Sequence, residues 1–259
     1  MLLPDGSAAT AYVEVVTARI EADLGRSLGS GTTIVPAADR AGSGVAVAYL
    51  LPGRTAVWSD PTVADRLAPI AGPTALDRDA FVAAIRPLGG DLVGVGNNRV
   101  LDRPPDERDV DRSVLRSRWL HRTDPDDVQL LAEFLDAVSA DDADEVELSL
   151  DDLDAEILTF VDEQAARPRI VAYASGRPWL GSDRFDDIGV LTHPDMRRRG
   201  LGGAVVSEFV RARHLHGVHQ LYRCDAENIG SDRLCDSIGF ELVHQVVGVR
   251  FPPAESETG

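Results

Sequence analysis

Apolar residues in the C-terminal half of the chain recur with helical spacing between several extended stretches. Leu201, Val205, Phe209 and Ala212 follow one another at steps of four, four and three residues, which places them on one face of a helix. We therefore predict a helix over about residues 199–216.

The other elements predicted in this half alternate between strand and helix. A helix is predicted after Asp124, which can cap it, with Pro125 in its first position. Strands are predicted at about residues 116–122, 156–162, 169–175, 185–192 and 219–225, with a short helix at 231–238 and a final pair of strands within 240–251. This order indicates an α/β (α+β) fold in which helices flank a mixed sheet.

The N-terminal half indicates a smaller α/β unit. A first helix is predicted from the spacing of Val13, Val16 and Ile20, with Ser7 as its cap and Gly25 at its end. It is followed by two strands joined at residues 52–53, short helices around residues 61–67 and 81–85, and a hairpin within residues 89–102.

Residues 102–112 are charged, contain a Pro-Pro pair and lack apolar periodicity, so we predict a linker there. The predicted organisation is an accessory α/β domain with this linker at 1–112, a second domain at 113–253, and a flexible tail at 254–259. The first domain is compatible with a degenerate copy of the second.

Charge excludes several classes of function. The chain carries 26 basic residues, all of them arginine, against 43 acidic ones, for a formal net charge of −17. Nucleic-acid binding is disfavoured, because neutralising phosphates takes clustered positive charge. The absence of lysine excludes a Walker A phosphate loop and an enzyme that forms a Schiff base through lysine.

The remaining composition predicts a cytoplasmic protein without a membrane segment or a metal site. No stretch has the unbroken apolar length that a bilayer requires, and the N-terminus lacks a convincing export signal. The two cysteines, Cys224 and Cys235, are too few and too close together for a disulfide framework or a zinc site.

An arginine-rich and glycine-rich turn precedes the predicted helix at 199–216. The first backbone N–H groups of a helix lack intrahelical partners and concentrate partial positive charge, which favours an anion. Glycine lets the backbone approach a bulky anion because no Cβ intervenes. The residues that combine these properties are Arg197, Arg198, Arg199, Gly200, Gly202 and Gly203, and they predict a diphosphate site.

This turn and its downstream sequence resemble the GCN5-related N-acetyltransferases (GNAT), a family that binds acetyl-coenzyme A. Arg197, Gly200 and Gly202 match the family pattern Gln/Arg-x-x-Gly-x-Gly/Ala. The family's downstream residues are matched by Asn228, Leu234 and the Gly239-Phe240 pair. The resemblance covers about residues 113–251.

The resemblance implies a GNAT-type sheet that binds acetyl-coenzyme A as co-substrate. A strand ending at Val190, Leu191 and Thr192 would pair with the pantetheine arm, and one of its N–H groups would polarise the thioester carbonyl. The turn would hold the diphosphate. The implied cofactor residues are Val190, Leu191, Thr192, Arg197, Arg198, Arg199, Gly200, Leu201, Gly202, Gly203 and Asn228.

The acceptor implied by the family is an amine, either of a small molecule or of a peptide. Asp186 or Asp187 is the candidate base, and at most one of them can face the cleft because neighbouring strand residues point to opposite faces. Cys235 stands where many relatives carry a tyrosine that protonates the leaving thiolate, and Tyr222 is a substitute candidate. Asn228 either binds the cofactor or braces the turn into the next helix.

Two further hypotheses stay open at the level of sequence. The cysteine at the tyrosine position is also compatible with a catalytically silent module that binds acyl-coenzyme A, and the anion site alone is compatible with an unrelated phosphate-binding enzyme. The sequence leaves the oligomeric state open, a homodimer included.

Overall fold

The computed structural model describes residues 7–121, 123–148 and 155–252. The chain divides into two compact units that do not follow chain order. Unit 1 comprises Met1–Arg99, Arg223–Asp232 and Leu242–Gly259, and unit 2 comprises Val100–Tyr222 and Arg233–Glu241.

Unit 1 is a mixed sheet with helices on both faces. Its strands lie in the order β1-β3-β2-β10-β4, with β1 parallel to β3 and β2 antiparallel to both β3 and β10. Its elements are α1 (Ala8–Leu24), β1 (Gly31–Pro36), β2 (Val45–Leu51), β3 (Arg54–Ser59), α2 (Ala64–Leu67), α3 (Arg78–Ile85), β4 (Asp91–Val100) and most of β10 (Glu241–Arg250).

Apolar side chains from α2, α3 and the sheet form the core of unit 1. The principal members of this core are Ala48, Val57, Leu67, Phe81, Ile85, Val247 and Val249. Tyr12 of α1 stacks on His244, with ring centroids 5.5 Å apart and the tyrosine hydroxyl 3.2 Å from His244 Nε2. His244 is 4% exposed, and burial lowers its pKa from 6.5 to about 4.

Unit 2 carries a second set of strands in the order β9-β8-β7-β6-β5, in which β8 is parallel to β9 and the other pairs are antiparallel. Its elements are β5 (Leu115–Trp119), α4 (Pro125–Ala137), α5 (Ala140–Glu145), β6 (Glu156–Asp162), β7 (Arg169–Pro178), β8 (Phe185–Thr192), α6 (Leu201–His214), and parts of β9 (His219–Asp225) and α7 (Ile229–Ile238).

Helices α4 and α6 pack on opposite faces of β7 and β8. Phe134 of α4 shares a core with Tyr173 of β7 and Leu191 of β8. Phe209 of α6 lies against β7 from the other face, since a Cβ at Gly176 would be 2.7 Å from its ring. Alternate residues of β8 therefore face different helices, which decides which of them can meet a substrate.

Most predicted elements are present close to their predicted bounds. Ser7 caps α1 and Asp124 caps α4 through side-chain hydrogen bonds to backbone N–H groups, and Gly25 ends α1. The helix predicted at 199–216 is α6, Leu201–His214. The predicted mixed sheet flanked by helices is confirmed.

Two predicted strand pairs are wrong. Residues 89–102 form no hairpin, because Gly94 and Gly96 are not in the left-handed region and β4 runs straight through them. Residues 240–251 form the single strand β10, which pairs with β2 of the N-terminal half and lies beside β4.

The compact units also differ from the predicted boundary at residue 112, because β10 pairs with β2 and belongs to unit 1. The proposed domains 1–112 and 113–253 remain a prediction, and the tail at 254–259 lies outside the described residues. Among the described helices, the longest, α1, has 17 residues, and none is both long and apolar enough to cross a bilayer.

Candidate active site

Strands β8 and β9 pair over a short distance only. Their parallel ladder joins Phe185 to His219 and ends where Asp187 meets Leu221. Strand β8 continues to Thr192 while paired with β7. In the described part of the chain, the other edge of β8 beyond Asp187 therefore has no strand partner, and its backbone groups are available to an extended ligand.

The turn after β8 brings the start of α6 against the end of that strand. A Cβ at Gly202 would lie 3.1 Å from Thr192 Oγ1 and 3.7 Å from Val190 Cγ2, so only glycine permits this approach without displacement. Gly200, the N-cap of α6, has φ 76° and ψ 0° and supplies no side-chain cap. The first amides of α6, from Leu201 onward, thus lack a capping side chain and retain their partial positive charge.

The three arginines of the turn differ in their contacts. Arg197 donates to the Thr192 carbonyl at 3.3 Å and pairs with Asp142 of α5 at 2.8 Å. Hydrogen bonds from Ser139 and then from Arg197 hold the pKa of Asp142 below its ordinary value. Arg198 has an unusual φ of 62° for a residue with a side chain, and both it and Arg199 are exposed. These two guanidinium groups are the ones placed to meet a ligand from solvent.

The two candidate bases on β8 point to opposite faces of the sheet, as predicted. Asp186 is 2% exposed and accepts a hydrogen bond at 2.6 Å from Arg213 Nε of α6. Asp187 is half-buried and shares a face of β8 with Gly189. On this face, a Cβ added at Gly189 would lie 3.1 Å from the Cβ of Val146, the residue after α5. Asp186 is thus part of a buried ion pair, whereas Asp187 lies on the α4–α5 face.

The two candidate acids are buried. Cys235 of α7 is 0% exposed, and its carbonyl accepts from the N–H groups of Gly239 and Phe240 at the end of the helix. Tyr222 of β9 is 3% exposed and packs edge-on against Phe240, with ring centroids 5.6 Å apart. In the described structure, therefore, neither side chain is presented to solvent as a ready proton donor.

Asn228 has the bracing geometry that the sequence left open. Its side-chain oxygen accepts from the Ser231 N–H at 3.0 Å and its carbonyl accepts from the Asp232 N–H at 3.0 Å, so it caps the start of α7. Asn228 belongs to unit 1 and the glycine turn to unit 2.

The sequence did not indicate that the predicted linker packs against α6. Residues 107–112, which we call the 107–112 segment, are irregular. Arg112 pairs with Glu208 at 2.6 Å, and Glu107 pairs with Arg211 at 3.5 Å. The alternating charges of this segment indicate that it forms ion pairs, but they do not indicate that its partners lie on α6.

Comparison with known proteins agrees with this geometry. Residues 186–249, which include the glycine turn and α6, match the model of a family described as FR47-like protein, which is related to GNAT. No curated protein matches the chain by sequence.

Several solved structures resemble the chain in fold. A tandem GNAT protein from the clavulanic acid biosynthesis pathway aligns with a TM-score of 0.50 and 17% identity, over 71% of this chain and 62% of that one. A GCN5-related N-acetyltransferase from Sphaerobacter thermophilus gives a TM-score of 0.48 and 18% identity, over 66% and 56%. One from Kribbella flavida gives 0.47 and 16%, over 68% and 66%. The chain thus spans less than two thirds of each of these structures.

The matched segment begins on β8 and includes the turn and helix whose glycines approach that strand. The family match and the shared fold confirm the predicted resemblance. Residues 186–249 of this chain thus match a family related to the GCN5-related N-acetyltransferases, and the chain resembles one of their solved structures in fold.

Proposed function

We propose that the chain is an N-acetyltransferase that transfers the acetyl group of acetyl-coenzyme A directly to an amine of a small molecule or peptide. The observation that supports this most strongly is an edge of β8 that has no strand partner among the described residues, with a helix start beside it that has no side-chain cap. An extended thioester substrate with a diphosphate at its far end uses both features.

The residues of this region fit such a co-substrate. The backbone of Val190, Leu191 and Thr192 would take the pantetheine arm, and the amides from Arg198 to Gly203 would take the diphosphate. The left-handed conformation of Gly200 and the close approach of Gly202 leave backbone rather than side chain at this surface. Acetyl-coenzyme A would supply an activated acetyl group as its thioester.

Local charge outweighs the net charge of −17 at this site. At physiological ionic strength the screening length is about 8 Å, so distant carboxylates have little influence. The exposed guanidinium groups of Arg198 and Arg199 belong to the turn itself and attract the diphosphate from close range.

An amine must lose a proton before it attacks. For a lysine-like amine this costs roughly 4 to 5 kcal/mol at pH 7, because its pKa lies about 3.4 units above that pH. Asp187 is the base we favour, acting directly or through a water, since it is half-buried and within reach of solvent, whereas Asp186 is 2% exposed and lies under α6 on the opposite face. Arg177, directly across from Asp187 on β7, donates to the Glu147 carbonyl at 2.5 Å and places a second charged group on this face.

One observation favours the catalytically silent alternative. Cys235 and Tyr222 are both buried, so neither is presented as an acid for the departing thiolate. A protein that binds acyl-coenzyme A without turnover requires no such acid. Transfer to an amine remains our proposal, because water can protonate the departing thiolate.

The experiment that tests the proposal combines binding with turnover. Acetyl-coenzyme A affinity is measured by calorimetry, and free thiol release is followed over a panel of small amines and peptide N-termini. Binding with acceptor-dependent thiol release supports the enzyme. Tight binding without release on any acceptor supports the silent module, and equal affinity for nucleotides that lack pantetheine supports an unrelated phosphate-binding protein.

A further inference from the structure

An arginine outside the glycine turn lies beside the first turn of α6. If Gly203 carried a Cβ, that atom would lie 2.8 Å from Arg108 Nη1 and 3.3 Å from its Cζ. Helical side chains lean toward the N-terminus, so the position of this Cβ is displaced toward the open amides of the helix. The Arg108 guanidinium therefore lies beside the first turn of α6, the turn whose backbone amides are open.

Two contacts fix the position of Arg108, one made by its own 107–112 segment and one made by its side chain. Val110 Cγ1 would lie 3.7 Å from a Cβ at Gly200, so the segment also packs against the glycine turn. Arg108 also donates a hydrogen bond to the Ser237 carbonyl near the end of α7. A carbonyl at a helix C-terminus carries partial negative charge and suits a guanidinium. This contact uses Nη2, whereas Nη1 lies on the side of α6.

The charge balance around Arg108 points to an anionic ligand. Within the described residues, Arg108 has no carboxylate at ion-pair distance, whereas its neighbour Arg112 pairs with Glu208 at 2.6 Å. The partial charge of the Ser237 carbonyl offsets only part of the Arg108 charge, and a cation beside the positive end of α6 is electrostatically unfavourable. The chain has 43 acidic and 26 basic residues, so carboxylates are abundant enough to provide a partner for Arg108. A bound diphosphate would supply that missing negative charge from outside the chain.

We propose that Arg108 is a further diphosphate-binding residue of this protein, contributed by the 107–112 segment and not by the family's glycine turn. This inference rests on the proposed function, because it requires coenzyme A at the start of α6. It implies that the 107–112 segment forms one wall of the co-substrate site.

Calorimetric titration with coenzyme A tests this role through substitutions that separate charge from packing. Arg108→Gln keeps a donor for the Ser237 carbonyl and removes the charge, whereas Arg108→Lys keeps the charge. We expect Arg108→Gln to weaken coenzyme A binding about tenfold, as loss of a solvent-screened charge-assisted contact would. Arg108→Lys should bind at an intermediate affinity. Acetyl-pantetheine, which has no diphosphate, should bind wild type and Arg108→Gln equally.

Arg103→Gln is the matched control, since it removes one exposed arginine from the same predicted linker and should change affinity by less than about twofold. Unchanged or tighter coenzyme A binding by folded Arg108→Gln would overturn the inference, and tighter binding would show that the segment obstructs the site. Equal weakening for acetyl-pantetheine would also overturn it, because the role of Arg108 would then be structural. If wild type does not bind coenzyme A, the proposed function itself fails.

Discussion

Position 200 offers a direct test of the anion site, because charge can be changed there with little steric effect. Among the described residues, only Val110 Cγ1, at 3.7 Å, would be a near neighbour of a Cβ at Gly200, so a side chain fits the space. The φ of 76° costs a residue with a Cβ about 1 kcal/mol of stability. Gly200→Gln and Gly200→Glu share this cost, and their difference therefore isolates the effect of one negative charge.

The expected effect follows from Coulomb's law. A carboxylate at about 6 Å from one phosphate charge is repelled by about 0.7 kcal/mol at the dielectric constant of water and about 2.8 kcal/mol at an effective value of 20. Gly200→Glu should therefore bind coenzyme A about 3- to 100-fold more weakly than Gly200→Gln. The gap should shrink between 0.1 M and 1 M salt, where the screening length falls from about 10 Å to about 3 Å.

The assay is calorimetric titration of both variants with coenzyme A and with acetyl-pantetheine, after circular dichroism and thermal unfolding have shown that both are folded. The charge effect should be present with coenzyme A and absent with acetyl-pantetheine. Equal coenzyme A affinity of the two folded variants at low salt would refute the placement of the diphosphate at the start of α6.

Four further predictions concern side chains on β8, α7 and β10. Asp186→Asn removes the 2.6 Å partner of Arg213 and should lower the free energy of unfolding by about 3 kcal/mol in urea while turnover persists; a loss of turnover at full stability would instead make Asp186 the base. Asp187→Asn should show the opposite pattern, with turnover lost and stability kept. Cys235→Ala should cost about 1 kcal/mol of stability and change kcat little, because the thiol is a buried packing group; near-total loss of kcat with coenzyme A binding intact would assign it a catalytic role. Burial lowers the pKa of His244 to about 4, so the unfolded state binds more protons between about pH 6.5 and 4, and about 3 kcal/mol of stability should be lost as the pH falls through this range. In His244→Gln, the free energy of unfolding in urea should differ less between pH 7 and pH 4.5 than in wild type. An equal loss of stability in wild type and His244→Gln would contradict the assignment to His244.

Local sequence was enough to predict the features that depend on neighbouring residues. The caps at Ser7 and Asp124 and the four- and three-residue spacing of α6 are short-range properties, and the structure has them as predicted. The alternation of Asp186 and Asp187 between two faces follows from strand geometry alone. The glycine turn before α6 could be predicted for the same reason, because a helix start with open amides depends on consecutive backbone groups.

Long-range pairing was decided only by the tertiary structure. The spacing of β4 and β10 does not reveal that each is a single strand, because a hairpin and a long strand carry the same alternating pattern. The partner of β10 is β2, almost 200 residues earlier, as in the pairing of Val247 with Ala48. Nothing in the alternation of Asp186 and Asp187 shows which of them meets Arg213, because that depends on the face that α6 covers. The same holds for Arg108, which lies almost 100 residues before Gly203 in the chain and beside it in the fold. Periodicity specifies which side of an element is buried, whereas the identity of the element that buries it depends on packing among parts of the chain that are remote in sequence.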